Sequence, residues 1–463
     1  MKAQLLDALR DACGDAAVLA DAASIEPYVT DWRGTFVGRA SAVVRPASTE
    51  QVSEVVRICS DARIPIVPQG GNTGLAAGAT PLQLRDAIIV SLSRMRRIVS
   101  VDADAYAVTV EAGCVLADVQ QAARRAERLF PLSLAAEGSA EIGGLVSTNA
   151  GGTAVLRYGT MRSLVLGLEA VLPDGRIVDG LRALYKDNAG YDWKQLFIGA
   201  EGTLGIVTRA VLRLFPMPRE RVTALIGIDL SETALRVFSH LQTMLGETLS
   251  ACELFPDRAL ALRVAYEPGL RRPMAEHAWY LLVEATSSLS TLRTAAEEAF
   301  VALDDAGLAG AIVIAENSAQ ARALWEWRET ITETEKRTGR SVKHDVSVPI
   351  SAIPEFIARA TERIERDHPG VTVLAFGHFG DGNIHFNVLV PGATTAVVDA
   401  ISAAVYEMIA DFRGSITAEH GIGRYRRNEL LAHRSIFEMD LMRTVKRALD
   451  PGNVMNPGAV LEE

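Results

Sequence analysis

Histidine is missing from the first 239 of the 463 residues, so no cofactor can be attached through an imidazole there. Cysteine is also sparse. Cys13, Cys59, Cys114 and Cys252 are scattered and form no C-x-x-C pair, which argues against a disulfide framework and against a thiolate zinc site. A reducing cytoplasm fits that usage. No uninterrupted apolar run approaches the roughly 18 to 20 residues needed to span a bilayer, so any membrane association would be peripheral. Met1 to Arg10 lacks the basic-then-apolar order of a secretory signal and reads as a surface helix with leucines at helical spacing. Positive charge is in deficit as well: the net charge of −10 argues against nucleic acid as the main partner, and an acidic substrate would need a local basic pocket. Neither G-x-G-x-x-G nor G-x-x-x-x-G-K-[ST] occurs, which disfavours a nicotinamide or ATP site of the usual kind. Gly421-Ile422-Gly423 comes close but meets Arg426 where the third glycine belongs.

What is present suggests more than one domain, because the length exceeds what a single hydrophobic core serves. From Ala42 to about Pro216, short β-branched runs alternate with helical stretches, which predicts a mixed α and β domain. Ser48 or Thr49 caps a helix with Glu50 to Ala62 as its body, and Ile64 to Val67 follows as a strand. Ala107 to Glu111 reads as a strand and Val115 to Arg128 as a helix. Leu166 to Leu172 turns through Pro173-Asp174-Gly175 into Ile177-Val178 as a hairpin. After the Phe215-Pro216-Met217-Pro218 break, alanine-rich helices alternate with strands such as Ala278 to Glu284 and Ala311 to Ala315. Domains are placed at 1–218, 219–412 and 413–463, the last with a helix near Ile436 to Leu449.

Four glycine loops fall within about 140 residues: Gln69 to Gly74, Gly138 to Gly144, Thr148 to Gly152 and Gly202 to Gly205. Each alone is a plain turn more often than a site. Together, interleaved with Ser, Thr and Asn, they suggest a dinucleotide laid across several loops whose backbone N–H groups converge on an anion. The ordered motifs Ile66 to Gly74, Ala150-Gly151-Gly152, Arg157-Tyr158-Gly159, Asp187 to Asp192 and Phe197 to Ile206 resemble the FAD domain of the vanillyl-alcohol oxidase flavoprotein superfamily. The C-terminal motifs below resemble its D-2-hydroxyacid dehydrogenase branch, so the likeness spans nearly the whole chain. It implies an α+β fold: a two-part FAD-binding domain, a mixed α/β substrate (cap) domain, and a C-terminal helical segment that returns to the FAD domain. It assigns to FAD the residues Pro68, Gly70, Gly71, Asn72, Thr73, Gly74 and Leu75, then Gly138, Ser139, Ile142 and Gly143, then Thr148, Asn149, Gly151 and Gly152. Arg157, Tyr158, Glu201, Gly205, Ile206 and Asn456 complete the set. Gly70 to Leu75 and Gly143 to Asn149 would hold the pyrophosphate. Without a histidine in this domain the FAD is expected to be non-covalent, and Cys114 reads as a buried structural cysteine.

Thr372 to Pro391 places two apolar runs around Asp381-Gly382, a strong signal for a two-residue hairpin turn. Pairing centred on that turn sets His378 opposite His385, with Asn387 on the same face. Such a pair is structural as readily as functional. Glu419, about 35 residues on in Ala418-Glu419-His420-Gly421, supplies a carboxylate, and two His with one Glu and an open position is the ligand set of a catalytic zinc-type site. In the resembled branch His378, His385 and Glu419 match the metal ligands; zinc is the first choice, with manganese or iron open.

Arg328 and Thr332 are four apart and so share a helical face, with Lys343 beyond the helix. Spacing alone favours a solvated arginine in an acidic helix. The resemblance gives Arg328, Thr332 and Lys343 to the substrate's carboxylate, and Asn387 joins them on the hairpin. Oxidation of an alcohol requires the hydroxyl proton to leave as hydride departs. A metal on the hydroxyl lowers its pKa, His420 is the candidate general base, and hydride would pass to flavin N5. The implied reaction is oxidation of a small D-2-hydroxy acid, D-2-hydroxyglutarate first, with D-lactate or glycolate as rivals. No second cofactor motif is seen, so an external acceptor such as an electron-transfer flavoprotein, a quinone or a cytochrome is implied; a homodimer is allowed. A His-His-Glu metallohydrolase leaves the glycine system unused, and a non-catalytic flavin carrier leaves the hairpin histidines unused.

Overall fold

The computed structural model describes residues 2–267 and 269–462; Met1 of the predicted N-terminal helix, and Pro268 and Glu463 of the predicted second and third domains, lie outside them. The chain divides into two compact units. One comprises Met1–Gly152, Gly159–Met217 and Glu419–Glu463, and the other Thr153–Tyr158 and Pro218–Ala418.

The first unit contains a four-stranded sheet ordered Val18–Leu19, Ala42–Val44, Ile88–Ser91, Ile66–Gln69, in which the last three strands run parallel. Parallel strands are covered on both faces and read as unbroken apolar runs. Ala42–Val44 and Ile88–Ser91 are accordingly buried throughout. The helix Thr49–Asp61 starts where the Ser48 side chain accepts the N–H of Gln51, and it buries Val52, Val55, Val56 and Cys59 on one stripe. Those residues join Ile66, Ile88 and Met455 in one core, where each fully buried aliphatic side chain contributes about 1.5–3 kcal/mol. A second, antiparallel sheet is ordered Ile98–Asp102, Ala107–Glu111, Ile206–Arg213, Val165–Val171, Ile177–Gly180. Its last two strands form the predicted hairpin, with Gly175 at φ +81° where a side chain would be strained. The helix predicted to reach Arg128 ends at Arg125, because Arg128–Leu129 instead pairs with Phe215–Pro216.

The second unit is a seven-stranded antiparallel sheet ordered Ala311–Ile314, Glu220–Ile228, Trp279–Ser287, Leu249–Pro256, Thr372–His378, Asn383–Leu389, Ser341–Ser347. Leu225, Phe255, Leu260, Tyr280, Leu282, Trp327 and Phe376 form a core between it and the Asp257–Tyr266 and Ser318–Glu329 helices. The hairpin differs from expectation. Phe379–Asp381 makes a 3₁₀ turn and Gly382 takes φ +91°, so the loop is four residues long and the pairs are His378 with Asn383 and Phe376 with His385. The register therefore moves by two residues, an even number, and every side chain keeps its face. The two histidines become diagonal neighbours instead of direct partners. Among the described residues no helix is long and apolar enough to cross a membrane.

Candidate active site

In the first unit the glycine loops close around a cleft of about 910 Å³, counting the space open to solvent. The strand Ile66–Gln69 delivers Pro68 and then Gly70, Gly71, Asn72, Thr73 and Gly74 to its wall, and the helix Ile142–Ser147 brings Gly143 and Gly144. Thr148, Glu201, Gly205, Ile206 and His420 also line it. At Gly74 and Gly144 an added Cβ would stand in open space, so the cradle is one that side chains would fill. Gly71 answers a different need: its Cβ would lie 1.9 Å from the carbonyl oxygen of Ser139, so the close approach of these two loops admits only glycine. Ser139 thus supports the wall from behind.

Two carboxyl groups face this cleft. Glu201 accepts the N–H groups of Ile422 and Gly423, each at 2.8 Å, and burial still pushes its pKa up to about 7. Burial likewise raises Glu141 to about 7, and its Oε2 has no hydrogen-bond partner among the described residues. A buried oxygen without a protein partner on the cleft wall leaves an acceptor, or when protonated a donor, for a bound group. Asn456, 1% exposed, donates to the carbonyls of Gly78 (3.0 Å) and Glu201 (2.7 Å) and accepts from Arg424, so it braces the wall instead of lining it. Leu75, Gly138, Ile142, Asn149, Gly151 and Gly152 also stand outside the lining. Arg157 and Tyr158 belong to the second unit, where Arg157 donates to the backbone carbonyl and hydroxyl of Thr286. Cys114 is not on the cleft either; its thiol donates to the Arg97 carbonyl, and burial pushes it up to about 12.

The second unit gathers the predicted polar residues on its sheet. The rings of His378 and His385 are 5.6 Å apart and nearly perpendicular. Asn387 follows His385 on the same face and pairs across the sheet with Lys343. Arg328 is 8% exposed and lies 4.9 Å from the ring centre of Phe376, the strand partner of His385. It is therefore a buried arginine beside the histidine pair and not a solvated one. The shared face with Thr332 does not form: the helix stops at Glu329, Thr330 separates it from Ile331–Thr338, and Thr332 is exposed. Glu419 is the first residue past this unit, following Ala418, whose N–H donates to the Asp345 carbonyl.

Three buried carboxylates behind these groups escape sequence reasoning. Glu253, on Leu249–Pro256, accepts from Nδ1 of His378 at 2.6 Å and from Nε of Arg328 at 2.8 Å. Burial alone would raise its pKa, but the charges of His378 and Arg328, the His378 hydrogen bond and the charge of His385 hold it at about 2. Asp345 faces His385 as its strand partner, with Nδ1 and Oδ1 3.7 Å apart, and is fixed by Asn383 at 2.8 Å. Glu335 is fully buried and accepts from Asn387 at 2.7 Å and Lys343 at 3.4 Å. Each ties down side chains predicted for metal or substrate.

Residues 40–180 match the FAD binding domain family, and residues 217–460 match the C-terminal domain of FAD linked oxidases. The chain is 38% identical over 446 residues to a D-2-hydroxyglutarate dehydrogenase of Xanthomonas citri pv. viticola, covering 95% of this chain and 93% of the relative. It is 36% identical over 451 residues to a putative mitochondrial D-lactate dehydrogenase of Schizosaccharomyces pombe, covering 94% of this chain and 85% of the relative. Its fold matches that of p-cresol methylhydroxylase solved with substrate bound, at TM-score 0.78 and 18% identity over 99% of this chain and 97% of that one. The chain thus belongs to the FAD-linked oxidases, and is an FAD-dependent oxidoreductase of the branch that holds the D-2-hydroxyglutarate and D-lactate dehydrogenases.

Proposed function

We propose that this protein is a metal-assisted dehydrogenase that oxidises D-2-hydroxyglutarate to 2-oxoglutarate and passes the electrons to an external acceptor. The observation that carries the reading is the buried Arg328, joined through Glu253 to His378 of the histidine pair, which sets a carboxylate anchor beside metal-competent ligands. The glycine cradle and the Glu141 oxygen fit FAD, held without a covalent bond by the loops that line the cleft. The donor set of two imidazoles and the Glu419 carboxylate fits a zinc-type ion. When bound, FAD supplies a two-electron acceptor and the metal a Lewis acid that acidifies the substrate hydroxyl.

The chain's own residues do the rest. Arg328 offers a planar fork to a carboxylate and Lys343 a point charge, with Asn387 as a polar neighbour in the substrate site. The Nη groups of Arg328, beyond its Nε bond to Glu253, support an acid with a second carboxylate over D-lactate, which carries one. His420, on the wall of the FAD cleft, takes the hydroxyl proton as neutral imidazole. The unpaired, buried cysteines fit a reducing compartment such as the cytoplasm. A panel of D- and L-2-hydroxy acids, assayed by kcat/KM with an artificial electron acceptor, tests the substrate. D-2-hydroxyglutarate should lead, and D-lactate or glycolate turning over at least as efficiently would overturn the choice.

A further inference from the structure

We infer that Glu253 is a positioning residue that couples the substrate's carboxylate anchor to the metal ligands, so that one buried carboxylate sets both. The inference rests on the proposed metal and substrate roles of His378 and Arg328. Glu253 and His378 are direct partners on adjacent antiparallel strands and so project from one face of the sheet. Oε1 accepts from Nδ1 of His378 at 2.6 Å, which fixes the ring with its proton on Nδ1 and directs Nε2 to act as ligand. Oε2 accepts from Nε of Arg328 at 2.8 Å, and the guanidinium also lies over the Phe376 ring, 4.9 Å from its centre. Arginine has five N–H donors in a rigid plane. With Nε–H committed to Glu253, that plane is oriented and the Nη groups supply the fork for a substrate carboxylate. Glu253 is 1% exposed, so water cannot substitute for it. A shift of this carboxylate therefore moves ligand and anchor together, and keeps the distance between hydroxyl site and carboxylate site constant.

Substitution separates the two contacts. Glutamine has one acceptor where glutamate has two, so in Glu253→Gln either His378 or Arg328 faces an amide N–H₂. The full-length holoenzyme is stripped of metal and titrated with Co²⁺ against a competing chelator, with the visible Co²⁺ spectrum, flavin absorbance and steady-state kinetics recorded. Glu253→Gln is expected to bind Co²⁺ about 10- to 100-fold more weakly, the usual effect of losing a partner behind a metal ligand. At saturating metal its KM for the hydroxy acid should still be raised about tenfold or more, with flavin content unchanged. Glu253→Asp keeps both acceptors and should recover much of both effects, which a merely damaged core would not. Wild type that holds no Co²⁺ would sink the metal reading and this inference with it. Wild type that holds Co²⁺ while Glu253→Gln binds it equally well would sink this inference alone, as would a weakened metal site with an unaltered KM.

Discussion

In the FAD unit the binding wall is mostly backbone: glycines at Gly74 and Gly144 leave room, Gly71 permits two loops to touch, and Asn456 braces carbonyls. In the second unit the candidate site is built from polar and charged side chains, each held from behind by a buried carboxylate on another element. Backbone N–H groups bind what many dinucleotides share, whereas buried charge pairs select the shape and charge of one ligand. A wall of the first kind tolerates change in side chains but not in glycines. The second kind fails when a single partner is removed.

Exhaustive chelation is the largest perturbation and should divide the two regions cleanly: turnover disappears while the flavin absorbance near 450 nm stays with the protein. Full activity in metal-free enzyme, checked by elemental analysis, would end the metal role. His420→Asn should lower kcat by roughly 10² to 10⁴ with a modest change in KM, the range for a general base. A variant within about threefold of wild type across pH would assign the proton to another group. Arg328→Ala should cost about 2–5 kcal/mol in kcat/KM for the hydroxy acid, because it strands Glu253 as well as the substrate carboxylate; Arg328→Lys should recover part of this, with flavin content normal in both. Flavin loss in step with activity would mean that the arginine only holds the fold.

Gly71→Ala sharpens the contrast from the other side. A Cβ 1.9 Å from the Ser139 oxygen forces the loops apart, at about 1–3 kcal/mol, and should reduce FAD retention without touching any charged group. Unchanged FAD content by absorbance would show that the loops yield freely. The smallest effect concerns Glu141 in the FAD-free protein. Burial holds its folded pKa at about 7, above the 4.5 of an ordinary glutamate, so the stability it lends is present below about pH 4.5 and lost as pH rises through about 7. Glu141→Gln should flatten the fall in Tm between pH 5 and 8, at roughly 2–4 °C per kcal/mol. Parallel melting curves for the two proteins would show that this carboxyl is not strained by ionisation.

Local chemistry was readable wherever one stretch of chain decides it. Ser48 caps its helix, Gly175 turns its hairpin, and the four glycine loops converge as their spacing suggests. The hairpin faces of His378, His385 and Asn387 survived a register error because the error was even. Thr332 failed because a helix interruption at Thr330 has no glycine or proline to announce it. Glu253 is harder still. Five strands carry a single glutamate each, Glu111, Glu169, Glu220, Glu253 and Glu284, and the others meet Arg97, Thr49 with Thr208, the Arg293 N–H, and Trp325. Which of them backs an active site depends on strand order, which brings His378 to Glu253 across 125 positions of chain. No local pattern contains that information.

The bridge between Ile66 and Met455 has a consequence for biosynthesis. The strand Ile66–Gln69 lies at the edge of its sheet, and its first residue is closed by Ile66 N–H to the Val454 carbonyl at 2.8 Å and Asn456 N–H to the Ile66 carbonyl at 2.7 Å. On the ribosome Ile66 precedes those partners by about 390 residues, which at 5–20 residues per second is a wait of roughly 20 to 80 s. Throughout that interval the strand that presents the first glycine loop has an open edge, which is a template for wrong pairing. Closure of that edge therefore waits until Asn456 has been made, by which point the second unit, whose last residue is Ala418, has been synthesised in full.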